Sequence, residues 1–201
     1  AAAQELAQAV IGRVQIEAGK PFAISVAGES GCGKTTLALA LQDAFGKQGM
    51  KSIVLHQDDF FYLPPRQNHE QRLKDFSHIG PQEVNLVQLN ETIQLIQQQT
   101  TPLLTIPVMN WITDTREFKE IDVRQTAVII VEGTYCSLLP AVDYRVFFAA
   151  TYRQTRAQRI ARNRETVTDF IEQVLEKESQ IIQSHRERAQ LVIDPDNRCS
   201  Y

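Results

Sequence analysis

Short apolar runs separated by longer amphipathic stretches recur along most of the chain. The most apolar run is 127–131, and comparable runs occupy 22–27, 52–56 and 145–149. Runs of this length are typical of strands that are buried on both faces of a parallel sheet. A shorter apolar pair at 192–193 predicts a last, short strand. The pattern therefore predicts a sheet whose strands are mostly parallel.

Helical spacing of apolar residues fills most of the chain between these strands. It predicts helices near residues 4–17, from 37 to about 46–49, from 81 to 99, and through most of 150–191. Parallel strands that are joined by right-handed helical crossovers form an α/β fold. We therefore predict a three-layer α/β fold in a single domain that spans residues 1–201.

Two stretches depart from this alternation. Residues 64–81 are polar and begin with two prolines, which predicts a long irregular loop of a kind that is usually functional or mobile. Residues 103–106 and 118–123 bracket a polar excursion, which indicates a hairpin with Trp111 at its turn.

A glycine-rich segment between the first strand and the next helix matches the complete P-loop signature GxxxxGK(S/T). We predict that nine consecutive residues form an ATP site here: Gly28, Glu29, Ser30, Gly31, Cys32, Gly33, Lys34, Thr35 and Thr36. In such a loop the backbone N–H groups and the helix N-terminus face the phosphates. Lys34 is expected to reach the β- and γ-phosphates, and Thr35 to place its hydroxyl on Mg²⁺. A glycine turn that only caps a helix would not need the whole motif.

Acidic residues follow two of the predicted strands. Glu132 follows the most apolar run, at a strand end where a carboxylate can bind Mg²⁺ through water. Asp58 and Asp59 follow the strand at 52–56. We predict Asp58 as the general base for an acceptor hydroxyl, although Asp59 can exchange roles with it. The predicted metal-linked residues are Thr35, Glu132 and Asp58. A solvated turn is the other interpretation of the paired aspartates.

Five arginines fall within twelve residues on a predicted helix, mostly three apart: Arg153, Arg156, Arg159, Arg162 and Arg164. Such spacing places several guanidinium groups on one face, where they can close over phosphates as a lid at about 153–166. A solvated basic face is the alternative for any single arginine.

Aromatic residues and histidines give weaker signals. Five aromatic residues near strand ends can either stack on a ring substrate or belong to the core: Phe60, Phe61, Tyr62, Trp111 and Tyr135. His56 and His78 lack the spacing of a metal site, and we interpret both as packing or surface residues.

Charge and cysteine usage narrow the choice of partners. The formal net charge is −3, which gives no bulk attraction to nucleic acid or to an anionic membrane. No apolar stretch approaches the roughly 20 residues of a membrane span. Three widely spaced cysteines indicate neither a disulfide framework nor a zinc site. We expect a cytoplasmic protein with a small-molecule partner, and a homo-oligomer is left open.

The P-loop at 28–35, together with segments 57–62, 131–133 and 155–162, resembles the uridine kinase-like family of small-molecule kinases. That group also includes nicotinamide riboside kinases, phosphoribulokinases and bacterial pantothenate kinases. The resemblance implies a P-loop kinase fold with a helical lid, and it assigns the base to Asp58 and the metal-linked acid to Glu132. It assigns the lid to Arg156, Arg159 and Arg162.

The resemblance implies an ATP-dependent kinase that uses Mg²⁺ and phosphorylates a hydroxyl of a nucleoside or ribosyl compound. The chain has Met109, Asn110 and Trp111, followed by Asp114, where uridine kinases carry Tyr-Asp-Phe and a later His. Asn85 stands where an Asp would hold ribose hydroxyls. Uridine itself therefore does not follow as the substrate. The alternative is a regulatory P-loop ATPase without a small-molecule acceptor.

Overall fold

The computed structural model describes residues 2–161 and 168–200. Its helices are α1 Ala2–Ile11, α2 Lys34–Lys47, α3 Pro65–Lys74, α4 Leu86–Gln98, α5 Arg156–Ala161 and α6 Asp169–Gln183. Its strands are β1 Phe22–Gly28, β2 Ser52–His56, β3 Leu103–Asn110, β4 Thr115–Asp122, β5 Val128–Gly133, β6 Tyr144–Phe148, β7 Leu191–Ile193 and β8 Cys199–Ser200. The strands predicted at 22–27, 52–56, 127–131, 145–149 and 192–193 are therefore confirmed within one or two residues.

Six strands form the central sheet in the order β2-β5-β1-β6-β7-β8. The first five are parallel to their neighbours, and β8 pairs antiparallel with β7. Helices α1 and α2 cover one face, where Leu41 and Phe45 are fully buried against the sheet. Helices α4 and α6 cover the other face through residues such as Ile93 and Ile182. The predicted three-layer α/β fold with a mostly parallel sheet is confirmed.

The carboxyl ends of three adjacent strands meet at one edge of this sheet. Ala27 pairs with Gly133 in the register of β1 and β5, and His56 pairs with Glu132 in the register of β2 and β5. In sheets of this kind ligands bind beyond the carboxyl ends of the strands. The edge therefore brings together the P-loop, the segment after β2 and the acid at the end of β5.

Two helices differ from the prediction at their ends. Helix α1 stops at Ile11, where Gly12 follows, rather than continuing to residue 17, although Val14 still packs against the core. Helix α4 begins at Leu86 rather than at the predicted residue 81. Its N-cap is Asn85, whose side chain accepts a hydrogen bond from the backbone N–H of Gln88 at 3.0 Å.

The prediction of an irregular loop over 64–81 is wrong. Helix α3 occupies Pro65–Lys74, and Asn68 is its only buried residue. Because its surface is almost entirely polar, the helix gives no apolar periodicity. Pro65 is favoured in the first turn of a helix, and the carboxylate of Asp114 accepts a hydrogen bond from the backbone N–H of Arg66 at 2.7 Å.

The predicted hairpin is confirmed as a separate two-stranded sheet of β3 and β4. Trp111 lies in its turn, and Asp114 at the end of that turn supplies the cap on α3. The backbone N–H of Met109 donates to Asp59 Oδ1 at 2.9 Å. The hairpin is therefore tied both to α3 and to the segment that follows β2.

Candidate active site

The P-loop connects the end of β1 to the start of α2, as predicted. Two of its glycines have backbone angles that other residues rarely adopt, with φ of 82° at Gly31 and 104° at Gly33. At Gly28 there is also no room for a side chain, because a Cβ would lie 2.9 Å from the carbonyl oxygen of Phe148. The Lys34 ammonium donates to the carbonyl oxygen of Glu29 at 2.8 Å. The lysine therefore turns back toward the loop that precedes it.

Glu132 at the end of β5 lies between the P-loop helix and β2. Its Oε1 accepts a hydrogen bond from Thr35 Oγ1 at 3.2 Å and lies 2.7 Å from His56 Nδ1. His56, interpreted from sequence as a packing or surface residue, therefore also contacts the candidate metal-linked acid. Because the contact joins residues 76 positions apart, only the adjacency of β2 and β5 could have revealed it.

The charges at this edge depend on one another. Burial opposes ionisation of Glu132, but the hydrogen bond from His56 and the charge of Lys34 lower the pKa of its carboxyl. The same hydrogen bond raises the pKa of His56 against the effect of burial. Burial disfavours the charged form of Lys34, yet the acidic groups around it, Cys32 and Glu132 foremost, raise its pKa. The edge therefore favours an anionic Glu132 beside a cationic Lys34.

Asp58 and Asp59 lie on a short 3₁₀ turn, Gln57–Phe60, directly after β2. The Asp59 carboxylate accepts the backbone N–H of Met109, whereas Asp58 is exposed to solvent. Desolvation of the Asp58 carboxyl by neighbouring protein atoms, and then the negative charge of Glu132, raise the pKa of this carboxyl. The two neighbouring aspartates thus differ in their contacts.

Gln57 is a site residue that the sequence did not suggest. It is fully buried, and its Oε1 accepts the backbone N–H of Tyr135 at 2.7 Å while its Nε2 donates to Thr134 Oγ1 at 3.1 Å. A Cβ at Gly133 would lie 2.3 Å from the Cβ of Gln57. The glycine after Glu132 is therefore required for close approach of the Asp58 turn.

Arg159 of the predicted lid is buried near the P-loop. One terminal nitrogen donates to the carbonyl oxygen of Tyr152 at 3.3 Å and lies 3.7 Å from a carboxylate oxygen of Glu172. A Cβ at Gly31 would lie only 2.8 Å from Arg159 Cγ. The stem of this arginine thus packs directly on the phosphate-binding loop.

The other arginines do not share one environment. Arg153 pairs with Glu176 at 2.8 Å on α6, and Arg156 is exposed on α5. Arg162 and Arg164 lie outside the described residues. The spacing in sequence therefore does not place the described arginines on one face toward the P-loop.

The sequence profile of the Phosphoribulokinase / Uridine kinase family matches residues 23–197, nearly the whole fold described above. The chain belongs to this family. Membership identifies the domain as a phosphotransferase domain that acts on a hydroxyl group.

Two relatives of this chain differ in the share of their own length that they have in common with it. The bifunctional alpha-galactosidase/sucrose kinase AgaSK of Mediterraneibacter gnavus is 29% identical over 187 residues, which cover 86% of this chain and 20% of that protein. The chain thus spans about a fifth of this relative's length. The uridine kinase of Ureaplasma urealyticum is 27% identical over 153 residues, which cover 74% of this chain and 72% of that enzyme.

A solved structure described as a possible uridine kinase from Bacillus stearothermophilus superposes with a TM-score of 0.64. The match covers 95% of this chain and 96% of that one, at 20% sequence identity. At this identity the likeness shows the shared fold.

The chemistry of the P-loop edge fits the nucleotide and metal that the family implies. Thr35 Oγ1 and Glu132 Oε1 are oxygen donors 3.2 Å apart, and oxygen ligands are those that Mg²⁺ prefers. The glycines of the loop carry no side chains, so a phosphate can approach the backbone at these positions. Thr35 and Glu132 would hold the metal, and the P-loop would hold the phosphates.

The predicted stacking residues divide between core and surface. Phe60 and Tyr135 are almost completely buried, so these two belong to the core, the alternative to stacking on a ring substrate. Tyr62 and Trp111 are each 51% exposed, and Phe61 is partly buried. The two exposed members of this set, Tyr62 and Trp111, lie in the segment after β2 and in the hairpin turn.

Proposed function

We propose that the protein is an ATP-dependent kinase that transfers the γ-phosphate of ATP to a hydroxyl of a small metabolite. The observation that carries this proposal is the placement of Asp58. It follows the strand next to β5, and Lys34 and Glu132 both contribute to the charge around its carboxyl. A regulatory ATPase needs no base on that side, so this arrangement favours a kinase with an acceptor.

Each residue has a role in the proposed transfer. The P-loop amides of residues 28–36 bind the phosphates, and Lys34 neutralises charge that develops on the γ-phosphoryl group. Asp58 accepts the proton of the acceptor hydroxyl as the new oxygen–phosphorus bond forms and the bond to the bridging oxygen of ADP breaks. When bound, Mg²⁺ supplies charge neutralisation at the phosphates. Asp59 holds the hairpin through Met109 rather than acting as the base.

The arginine lid stays part of the proposal. Arg159 packs on Gly31, so a small movement of its guanidinium group away from Glu172 would bring it toward the phosphates. Arg156, exposed one turn earlier, and Arg162, assigned from sequence alone, are the other proposed lid residues. A lid over about 153–166 within one kinase domain, residues 1–201, completes this proposal.

The acceptor is proposed to be a nucleoside or another ribosyl compound. Uridine kinase relatives support this class. A non-aromatic sugar is the second candidate, because the relative AgaSK is described as a sucrose kinase and two of the five predicted stacking residues are buried.

A screen for acceptor-dependent ADP release tests the proposal. The purified chain with ATP and Mg²⁺ should be offered nucleosides, nicotinamide riboside, pantothenate, and sugars including sucrose. The proposal expects ADP release to rise well above the acceptor-free rate with one class. Equal ADP release with and without every acceptor would favour the regulatory ATPase instead.

Location and partners remain predictions. Across residues 2–161 and 168–200, no helix is both long and apolar enough to cross a membrane. From the sequence we expect a cytoplasmic location and no nucleic-acid partner. A homo-oligomer is left open.

A further inference from the structure

Glu29, the second residue of the P-loop, has a side chain that the transfer step does not use. The side chain is only 2% exposed, which is unusual for a carboxylate. Its Oε2 accepts the backbone N–H of Tyr152 at 2.6 Å. Its Oε1 accepts Ser179 Oγ at 2.8 Å and Gln183 Nε2 at 2.5 Å. Three donors from two distant parts of the chain therefore converge on one carboxylate.

These donors belong to the elements that flank the predicted lid. Tyr152 lies between β6 and α5, so it marks the point where the lid segment begins. Ser179 and Gln183 lie four residues apart on α6, and hence on one face of the helix that follows the lid segment. Glu29 thus connects the P-loop to both sides of the predicted lid.

The next two P-loop residues repeat this connection. The carbonyl oxygen of Ser30 accepts a hydrogen bond from Thr155 Oγ1 at 2.7 Å. A Cβ at Gly31 would lie 3.2 Å from Thr155 Cβ and 2.8 Å from Arg159 Cγ. Three consecutive residues of the phosphate-binding loop are therefore joined to the segment that carries the lid arginines.

The backbone of Glu29 also reaches the catalytic lysine, because its carbonyl oxygen accepts the Lys34 ammonium at 2.8 Å. A movement of the loop at Glu29 would shift both the carbonyl oxygen that Lys34 contacts and the nearby Gly31, on which Arg159 packs. A charge-assisted hydrogen bond to a buried carboxylate is roughly twice as strong as a neutral one, so this anchor resists such rotation.

We propose that the Glu29 side chain is a positioning residue, which fixes the P-loop relative to the lid so that Lys34 and Arg159 meet the same phosphate. This inference rests on the proposed kinase function for its role in catalysis. The Glu29 side chain touches neither substrate in this account and acts through Lys34 and Arg159.

The test compares Glu29→Ala with a matched variant at another carboxylate that accepts a backbone N–H. Asp143 is that control, because its Oδ2 accepts the N–H of Ala23 at 2.8 Å near the amino end of β1, away from the P-loop. We expect Glu29→Ala to lower kcat about 10²-fold, as small misplacements of catalytic groups do, and to raise KM for ATP by less. Asp143→Ala should lower Tm and leave kcat within about twofold of wild type.

Removing the partners on α6 keeps the test decisive if Glu29→Ala fails to fold. The double variant Ser179→Ala/Gln183→Ala should lower kcat in the same direction, and it should cause little further loss when combined with a folded Glu29→Ala. A folded Glu29→Ala with wild-type kcat, or an unchanged kcat in the α6 double variant, would overturn the inference. A kcat loss in Asp143→Ala as large as that in Glu29→Ala would also overturn it.

A binding measurement separates failure of this inference from failure of the kinase proposal. A wild-type chain that releases no ADP in response to any acceptor contradicts the kinase proposal alone. Hydrogen exchange with a non-hydrolysable ATP analogue then tests the anchor: the analogue should slow exchange over residues 150–161 in wild type, and much less in Glu29→Ala. Equal protection in both proteins would contradict the positioning role.

Discussion

The two sides of the candidate site are built in different ways. The phosphate side consists of the continuous segment 28–36, whose shape comes from its own glycines and from the strand and helix that flank it. The other side, where we propose that the acceptor binds and which we call the acceptor side, consists of α3, the β3–β4 hairpin and the turn at Gln57–Phe60, joined by contacts such as Asp114 to Arg66 and Asp59 to Met109. The residues of one side are therefore consecutive in sequence, whereas those of the other are brought together by the fold.

A buried ionic cluster holds the acceptor side to the body of the protein. We name it the Glu83 cluster; its members are Asn68, Arg72, Glu83 and Glu178. Glu83 is fully buried and accepts from Arg72 at 2.5 and 3.0 Å and from Asn68 at 2.8 Å. Arg72 also reaches Glu178 on α6 at 2.8 Å. Backbone conformation thus gives the phosphate side its shape, with the Glu29 carboxylate tying it to α6, whereas the Glu83 cluster ties the acceptor side to α6.

This difference suggests that the phosphate side can stay constant while the acceptor side changes with the substrate. Side chains at the surface of α3 or of the hairpin can change without altering the curve of the P-loop. The variants below test whether the two sides are separable, in order of decreasing expected effect.

Asp58→Asn should affect only the acceptor side and cause the largest loss. Asparagine keeps the shape but cannot take the proton, so we expect kcat to fall about 10²–10⁴-fold with ATP affinity little changed. Steady-state kinetics with the acceptor found in the screen, together with titration of an ATP analogue, measure both quantities.

Asp59→Asn is the matched control for Asp58. Its Oδ1 can still accept from Met109, so the loss should be smaller. Because the pKa of Asp58 is raised, this carboxylate takes up a proton at a higher pH than an ordinary aspartate does. As the pH falls, kcat of wild type should therefore begin to decline at a pH above the ordinary pKa of an aspartate. Equal losses at both positions would contradict the assignment of the base.

Arg72→Met should destabilise the acceptor side. It leaves the buried Glu83 without its ionic partner, and breaking a buried pair in this way costs about 3–5 kcal/mol of unfolding free energy. Urea denaturation measures the change. The control is Arg124→Met at the exposed pair with Asp122, where we expect a much smaller loss because solvent screens the pair. Comparable values for the two variants would mean that the Glu83 cluster is not a main support of this side.

His56→Ala should weaken the binding of Mg²⁺ on the phosphate side. Without the hydrogen bond from His56 the pKa of Glu132 rises, so the carboxylate is a poorer partner for Mg²⁺. We expect the Mg²⁺ concentration for half-maximal activity to rise about 10–100-fold. His78→Ala, which removes a contact to Asn68, should leave the Mg²⁺ requirement unchanged. An unaltered requirement in His56→Ala would argue against a link between Glu132 and the metal.

Arg159→Lys should give a smaller kinetic effect than the variants above. Lysine keeps the charge and loses the planar fork, so we expect turnover to fall about tenfold, with ATP-analogue binding less affected. Arg156→Lys should cost less because Arg156 is exposed. In the control Arg153→Lys the charge that pairs with Glu176 remains, and turnover should stay near wild type. Harmless changes at both Arg156 and Arg159 would mean that these arginines do not act on the phosphates.

The parts that sequence could predict are those whose physical cause is local. Strands buried on both faces require continuous apolar runs, and a phosphate loop requires consecutive residues, so β5 and the P-loop were both identified. Helix α3 was missed because polar contacts rather than an apolar stripe hold it. The contacts of His56 with Glu132 and of Glu29 with Gln183 span 76 and 154 positions, and no local pattern reports such pairs.

The most direct test of the central claim follows the phosphate itself in wild type and in Lys34→Ala. With the acceptor from the screen, mass spectrometry should show one phosphoryl group added to a hydroxyl for each ADP released by wild type. Lys34→Ala, which removes a charge outside the core, should stay folded and lose both products together by about 10²–10³-fold. A folded Lys34→Ala with near wild-type turnover, or ADP released by wild type without a phosphorylated acceptor, would contradict the account.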